Sequence, residues 1–295
     1  MENGIATRAA QGTFRRAGEC RRSRETEWFS KMSKLTATLS RTEGKRAPNQ
    51  SSQREMAISI IVPVLNEASL IQKSLRHLRR RAPEAEIIVA DGTSADGTVD
   101  LAASLCDRLV QTKANRAAQM NAGARTAGGD ILWFLHADAE VPPGALAEIA
   151  QALQDRQVVG GFFRIRIPRR NPVYRLTDSF SHYAGLLLRM RCGDHGFFCR
   201  RDVFERVSGF PEISLMEDVD FFRKLRGAGR VVIVPKRIVV SSRRYEEIGT
   251  LRLTLAYGLI ATLYFFRAPL WLLERIYRRY CCREVPCSPM CSASY

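Results

Sequence analysis

AISIIVPVLNE, Ala57 to Glu67, decides the fold. Apolar, mostly β-branched residues follow one another with Ser59 as the only polar break, then Pro63, Asn66 and Glu67 close the run. A strand with a solvated face alternates apolar and polar side chains, whereas one covered on both faces does not. The stretch therefore predicts a strand buried in a parallel sheet, feeding a loop at its carboxyl end.

The chain repeats that theme outward from it. Leu70 to Arg81 places Leu70, Ile71, Leu75 and Leu78 at helical spacing beneath a basic face, which predicts an amphipathic helix. EIIVADGTSADGT, Glu86 to Thr98, is a second strand running into a loop of Gly, Asp and Ser. Thr98 to Cys106 reads as a helix, DRLVQT as a short strand, Asn115 to Ala127 as a helix, and DILWFLHAD, Asp130 to Asp138, as a fourth strand. Strand and helix in this rhythm give right-handed crossovers and a mostly parallel sheet with helices on both faces, an α/β Rossmann-like class.

The later half is less regular. VVGGFFRIRIP and GRVVIVP read as strands, Pro172 to Arg191 as a helix, and GDHGFF as a Gly-bounded loop ahead of a short strand. SLMEDVDFFRKLRGAG opens a helix with an acidic first turn.

Ligands of such sheets bind beyond the carboxyl ends of the strands. The residues there are Asn66 and Glu67, then Asp91 to Asp96, then His136 and Asp138. Asp91 can accept from the imino N–H of uracil or guanine, or it can simply form the turn as Ser94 and Asp96 do. Arg116 offers a fork of donors for phosphate or a base edge, or it is a surface arginine. Asp138 is the expected ligand of Mg²⁺ or Mn²⁺, a cation that one or two carboxylates and diphosphate oxygens can hold. His136 stands beside it as a second candidate, since imidazole suits Mn²⁺ better than Mg²⁺. Glu217 and Asp218 complement a helix N-terminus, or one of them serves as a general base.

The chain has 295 residues, and 46 Lys and Arg against 30 Asp and Glu give a formal charge of +16. That balance implies an anionic partner or a solvated basic surface. Residues 1–55, rich in Arg, Ser and Gln, are expected to be a disordered basic extension without an apolar signal segment. The 8 cysteines are scattered and match no zinc spacing, so neither a disulfide framework nor a zinc site is expected, and residues 281–295 read as a Cys-rich disordered tail. Between them, residues 56–245 form the expected catalytic domain. Residues 246–280 carry an apolar run, Leu253 to Phe266, bracketed by Arg252 and Arg267. It is shorter than the roughly 20 residues that span a bilayer, so it predicts amphipathic helices in a membrane interface, with packing on the core or a dimer contact as the alternative.

Six motifs in order, SIIVPVLNE, VADGTSADGT, RAAQMNAGA, FLHAD, GDHGFF and MEDVD, resemble the family 2 glycosyltransferases of the GT-A fold. The variant with HAD in place of DxD is most similar to a bacterial subgroup of the family. The resemblance runs from about Ile58 to Tyr245 and implies a transferase that uses a nucleotide-sugar donor and a divalent cation. It implies that Pro63 and Glu67 flank the nucleotide pocket, Asp91 reads the base and Arg116 lines the nucleotide side. Asp138 would hold the metal, Asp218 would be the base, and Glu217 would position the base or acceptor. Gly193, Asp194 and His195 would face the acceptor, and Arg243 and Arg244 would neutralise the departing diphosphate. His136, where many members carry Asp, is the departure.

One base without an enzymic nucleophile predicts inversion by a single displacement. The expected partners are the donor and a membrane surface or lipid acceptor of the cell envelope, at the cytoplasmic, inner face of the plasma membrane. No zinc finger or aromatic-basic stacking platform supports a nucleic-acid partner. A nucleotidyltransferase of related fold would show a Gly-rich phosphate loop after the first strand, which VLNEASLIQ lacks. A non-catalytic nucleotide-sugar-binding regulator is the other alternative.

Overall fold

The computed structural model describes residues 56–168 and 193–281. The expected extension 1–55, the helix Pro172 to Arg191 and the tail beyond Cys281 lie outside the described residues.

The first strand, β1 (Ile58–Val64), sends Ile60 and Val62 to one face and Ile61 to the other, and all three are fully buried. Successive strand side chains point to opposite faces, so burial of both sets requires cover on both. Ile60 and Val62 join one core with Leu75 and Leu78 of α1 (Ile71–Arg81) and Val89 of β2 (Glu86–Asp91). Ile61 joins the other with Ala117 and Met120, from a helix that follows α2 (Thr98–Ala103) and β3 (Arg108–Gln111), namely α3 (Arg116–Thr126). The fourth strand, β4 (Ile131–Phe134), divides in the same way, Trp133 entering the first core and Phe134 the second.

The remaining elements are α4 (Ala145–Ala152), β5 (Val158–Arg166), β6 (Phe198–Arg200), α5 (Arg201–Arg206), α6 (Glu217–Ala228) and β7 (Arg230–Val239). The seven strands stand in the order β3-β2-β1-β4-β6-β5-β7. β6 alone is antiparallel to its neighbours β4 and β5; the other pairings are parallel. The Gly pair at the start of β5 admits this reversed strand, because a Cβ on Gly160 would lie 2.4 Å from the Phe198 carbonyl oxygen. α4 has no counterpart among the expected elements: its only buried positions are Ala145 and Ile149, too few to mark a periodic face.

The strand ends that build the crevice are stitched together. Gln119 of α3 donates from Nε2 to the carbonyls of Val64 (2.6 Å) and Ala90 (3.0 Å), at the ends of β1 and β2. The following loops cross-link, with Asn66 N donating to Ser94 Oγ (2.8 Å) and Glu67 N to Thr98 Oγ1 (2.9 Å). Asn66 and Thr93 hold left-handed φ of 52° and 65° there, a conformation that non-glycine residues adopt at a cost and that concentrates at functional sites. On the other side Val239 and Glu140 exchange backbone hydrogen bonds (3.1 and 2.9 Å), drawing the end of β7 to the loop that carries Asp138.

Three helices follow β7: α7 (Arg243–Ile248), α8 (Thr250–Phe265) and α9 (Leu270–Cys281). α8 and α9 pair through Leu253, Ala256, Ile260, Leu273 and Cys281, with Leu215 and Met216 packed against them. The opposite side shows Leu251 (65% exposed), Leu255 (63%), Phe266 (75%) and Trp271 (63%) to solvent. Core packing and an apolar outer face are thus both present, on different sides of one hairpin. No helix among the described residues is long and apolar enough to cross a membrane.

Candidate active site

Asp91, the last residue of β2, is completely buried. Its Oδ2 accepts from Ser94 N (3.0 Å) and from Gln111 Nε2 (3.4 Å). Its Oδ1 is buried with no hydrogen-bond partner among the described residues. A buried acceptor left unpaired costs about 1–3 kcal/mol, a deficit that an N–H entering from a ligand can relieve.

A charged wall is built from α3 and α6. Asn115 caps α3, its side chain accepting from Ala118 N at 2.9 Å, and this sets Arg116 in the first turn. Arg116 Nη1 stands 3.5 Å from Glu217 Oε1. Glu217 and Asp218 are both buried at the start of α6, where the helix dipole favours negative charge. Met216 before them has a φ of 68°, the turn that aims this acidic pair inward. Burial works against the Arg116 charge, but Glu217, with Tyr277, Asp218 and Asp194, more than offsets it and raises its pKa above the ordinary arginine value. Pro63, Arg116, Phe134, His136 and Asp218 line one pocket. Pro63, which has no N–H for a ladder, lies beyond the last registered β1–β4 pair, Ile61 with Phe134.

His136 and Asp194 meet across the loop ends, Nε2 to Oδ1 at 3.3 Å. Burial foremost, and then the Arg116 charge, lower the pKa of His136, with Asp194 opposing them. Burial raises the Asp194 pKa, but His136 and then Arg116 outweigh it and hold it below the ordinary carboxyl range. Gly196 makes this loop possible: its φ is 60°, and a Cβ would lie 2.4 Å from Ile238 Cδ1.

Asp138 is exposed, two residues on from His136. Glu67 is close enough to feel it. Burial first raises the Glu67 pKa, Arg243 opposes that, and Asp138 adds to it. Arg243 Nη2 lies 3.6 Å from Glu67 Oε2. Among the described residues no group of three or more His, Cys, Asp or Glu converges to hold an ion. Asp138 offers an open carboxylate, which suits a cation completed by substrate oxygens and water.

The structure thus brings Pro63, Arg116, His136, Asp194, Glu217 and Asp218 together, with Asp138 close enough to act on both His136 and the Arg243-paired Glu67. His195 is buried edge-on to Phe162, ring centroids 5.7 Å apart, and is close enough to act electrostatically on Asp194. Gly193 opens the same short 3₁₀ turn. Asn121, in the motif with Arg116, is a brace, its amide exchanging hydrogen bonds with the backbone of Phe210 (2.8 and 2.9 Å). Gln111, Gln119 and Tyr277 are contributors the sequence reading passed over. Gln119 is a buried polar residue inside a small-residue helix, which is a legible signal; Tyr277 sits in a basic, aromatic stretch that announces nothing.

The chain matches the glycosyl transferase family 2 over residues 59–208, just over half its length. It belongs to glycosyl transferase family 2.

The sequence is 26% identical over 212 residues to an uncharacterized protein of Mycobacterium tuberculosis, covering 62% of this chain and 66% of that one. It is 28% identical over 188 residues to the glycosyltransferase AglE of Haloferax volcanii, covering 58% and 62%. In both cases the match spans just under two thirds of the relative's length. The fold is similar to that of the mannosyltransferase PcManGT from Pyrobaculum calidifontis in complex with GDP-Man and Mn²⁺ (TM-score 0.55, 22% identity, 86% of this chain and 73% of that). It is also similar to S. aureus TarS in complex with UDP-GlcNAc (TM-score 0.52, 15% identity, 81% and 79%). The family 2 match ends at residue 208, so Glu217, Asp218, Arg244 and the α8–α9 hairpin lie beyond it.

Proposed function

We propose that this family 2 chain is an enzyme that moves a sugar from a nucleoside-diphosphate sugar to an acceptor hydroxyl. The observation that carries the reading is that Pro63, Arg116, His136 and Asp218 line one pocket at the carboxyl ends of parallel strands. Structures of the same fold with GDP-Man and Mn²⁺ or with UDP-GlcNAc support the donor class.

The unpaired Oδ1 of Asp91 accepts the imino N–H of a uracil or guanine base. Since Asp91 has no exposure, the loop after β2 gives way as the base seats. Arg116 and Arg244 face the diphosphate, whose charge grows as the sugar bond breaks; fixed donors aimed at developing charge are an effective form of catalysis. Asp138 would hold Mg²⁺ or Mn²⁺, and the cation would supply further neutralisation of the leaving group. His136, tied to Asp194, walls that side of the pocket. Asp218 accepts the acceptor hydroxyl's proton as the oxygen attacks, with Glu217 anchored by Arg116 beside it. A single displacement of this kind inverts the anomeric centre.

The acceptor is read as lipid-borne, presented at the inner face of the plasma membrane. All the exposed large hydrophobics among the described residues except Ile233 lie between Leu251 and Tyr280, and Arg252, Arg267, Arg275 and Arg279 are exposed among them. An apolar face fringed by arginines suits an anionic interface.

Turnover of UDP- and GDP-sugars is the test. Asp218→Asn should lower it by about 10²–10⁴-fold, the usual contribution of a general base, and Asp138→Ala should lower it and abolish stimulation by Mn²⁺. Full activity in both variants contradicts the assignment. Nucleotide-sugar binding without turnover would point instead to a regulator.

A further inference from the structure

The hairpin α8–α9 has an inner side as well as an exposed one, and the inner side reaches the charged pocket. Arg244 Nη2 donates to the Tyr277 hydroxyl at 2.6 Å, and the Arg244 guanidinium also lies over the Tyr277 ring, 5.6 Å from its centroid. One tyrosine thus grips one arginine by both its hydroxyl and its π face. Arg244 and Tyr277 are each half-buried. Asp194, the partner of His136, is close enough to act electrostatically on Arg244, and Tyr277 is close enough to act on Arg116. The grip therefore stands within electrostatic reach of Arg116 and Asp194.

We infer that Tyr277 is a positioning residue for the leaving group: it holds the Arg244 fork toward the donor diphosphate, which makes the C-terminal hairpin a working part of the active site. A free arginine side chain loses considerable rotamer freedom when it binds a phosphate, and a fork held beforehand loses less. Tyr277 takes one donor of the guanidinium and leaves the rest of the fork for phosphate oxygens. Neither residue lies in the stretch that matches the family, residues 59–208.

The inference rests on the nucleotide-sugar reading, and the experiment separates the two. Calorimetry measures UDP and GDP binding with Mn²⁺ to the full chain, with UMP and GMP as controls that lack the β-phosphate. Wild type, Arg244→Ala, Tyr277→Phe and the double variant are compared. Arg244→Ala should weaken the diphosphate by about tenfold, the order supported by a hydrogen bond to a charged group. Tyr277→Phe, which keeps the ring and removes one oxygen, should weaken it several-fold on its own and add nothing in the Arg244→Ala background. Both variants should bind the monophosphate as wild type does, which also shows that they are folded.

Additive losses overturn the inference, as does an equal loss for the monophosphate, or an Arg244→Ala variant that binds the diphosphate normally. Wild type that binds neither UDP nor GDP overturns the reading beneath it.

Discussion

Asp91 separates recognition from stability. Asp91→Asn keeps an oxygen that can accept from Ser94 and Gln111 but turns an amide N–H toward the unpartnered position. Two donors then face each other, so affinity for the matching nucleoside diphosphate should fall by about tenfold or more. The thermal midpoint should move little, because the contacts within the protein survive. Glu67 gives a pH signature. Burial, with help from Asp138 and against Arg243, raises its folded pKa above the ordinary 4.5. The folded state therefore prefers the protonated form. That contribution is fully present below about pH 4.5 and is lost as pH rises through the raised value. Thermal midpoints should show wild type losing stability relative to Glu67→Gln over that rise; parallel profiles would contradict the shift. At this scale the residue types at the strand ends were legible, since Asp91, His136 and Asp138 follow apolar runs directly. Their partners were not. His136 with Asp194, Arg116 with Glu217 and Arg244 with Tyr277 join positions far apart in sequence, and only the packed chain puts them together.

Among the elements, α3 ties the ends of β1 and β2 to the segment between α5 and α6. Gln119 clasps the ends of β1 and β2 while Asn121 clasps Phe210. Asn121→Ala strands two buried backbone groups and should destabilise the fold by about 2–6 kcal/mol, at about 1–3 kcal/mol for each group; chemical denaturation measures it. The strands β1, β2 and β4 were readable because continuous apolar runs end in Asn, Asp or His, whereas β3 is the short RLVQ with exposed ends. β6 was readable as a strand but not in its direction, since Phe198–Arg200 carries only three residues and pairing alone reverses it. α8 shows the same limit in another form. TLRLTLAYGLIATLYF is apolar all round, so nothing in its spacing says that Leu253 packs inward while Leu255 faces solvent.

For the molecule as a whole, basic charge and the outer face of the hairpin point the same way. The chain should bind vesicles containing anionic phospholipid at least about tenfold more tightly than neutral ones, given about 1 kcal/mol for each arginine near such a surface. Raised salt should weaken that binding. Leu255→Glu with Trp271→Glu should abolish it while leaving UDP or GDP affinity intact. A self-associating chain that ignores vesicles would assign the face to a second copy instead.

The central claim is that the crevice takes a nucleoside diphosphate through Asp138 and a cation, and thermal unfolding tests it most directly. Ligands that bind only the folded state raise the midpoint with affinity and concentration. With Mn²⁺ present, the diphosphate of one base, UDP or GDP, should raise the wild-type midpoint by several degrees, on the order expected for ligand at a hundredfold excess over its Kd. The rise should shrink when Mn²⁺ is removed and in Asp138→Ala. A midpoint indifferent to every nucleotide, or a response as large for the monophosphate and independent of both Mn²⁺ and Asp138, would contradict the account.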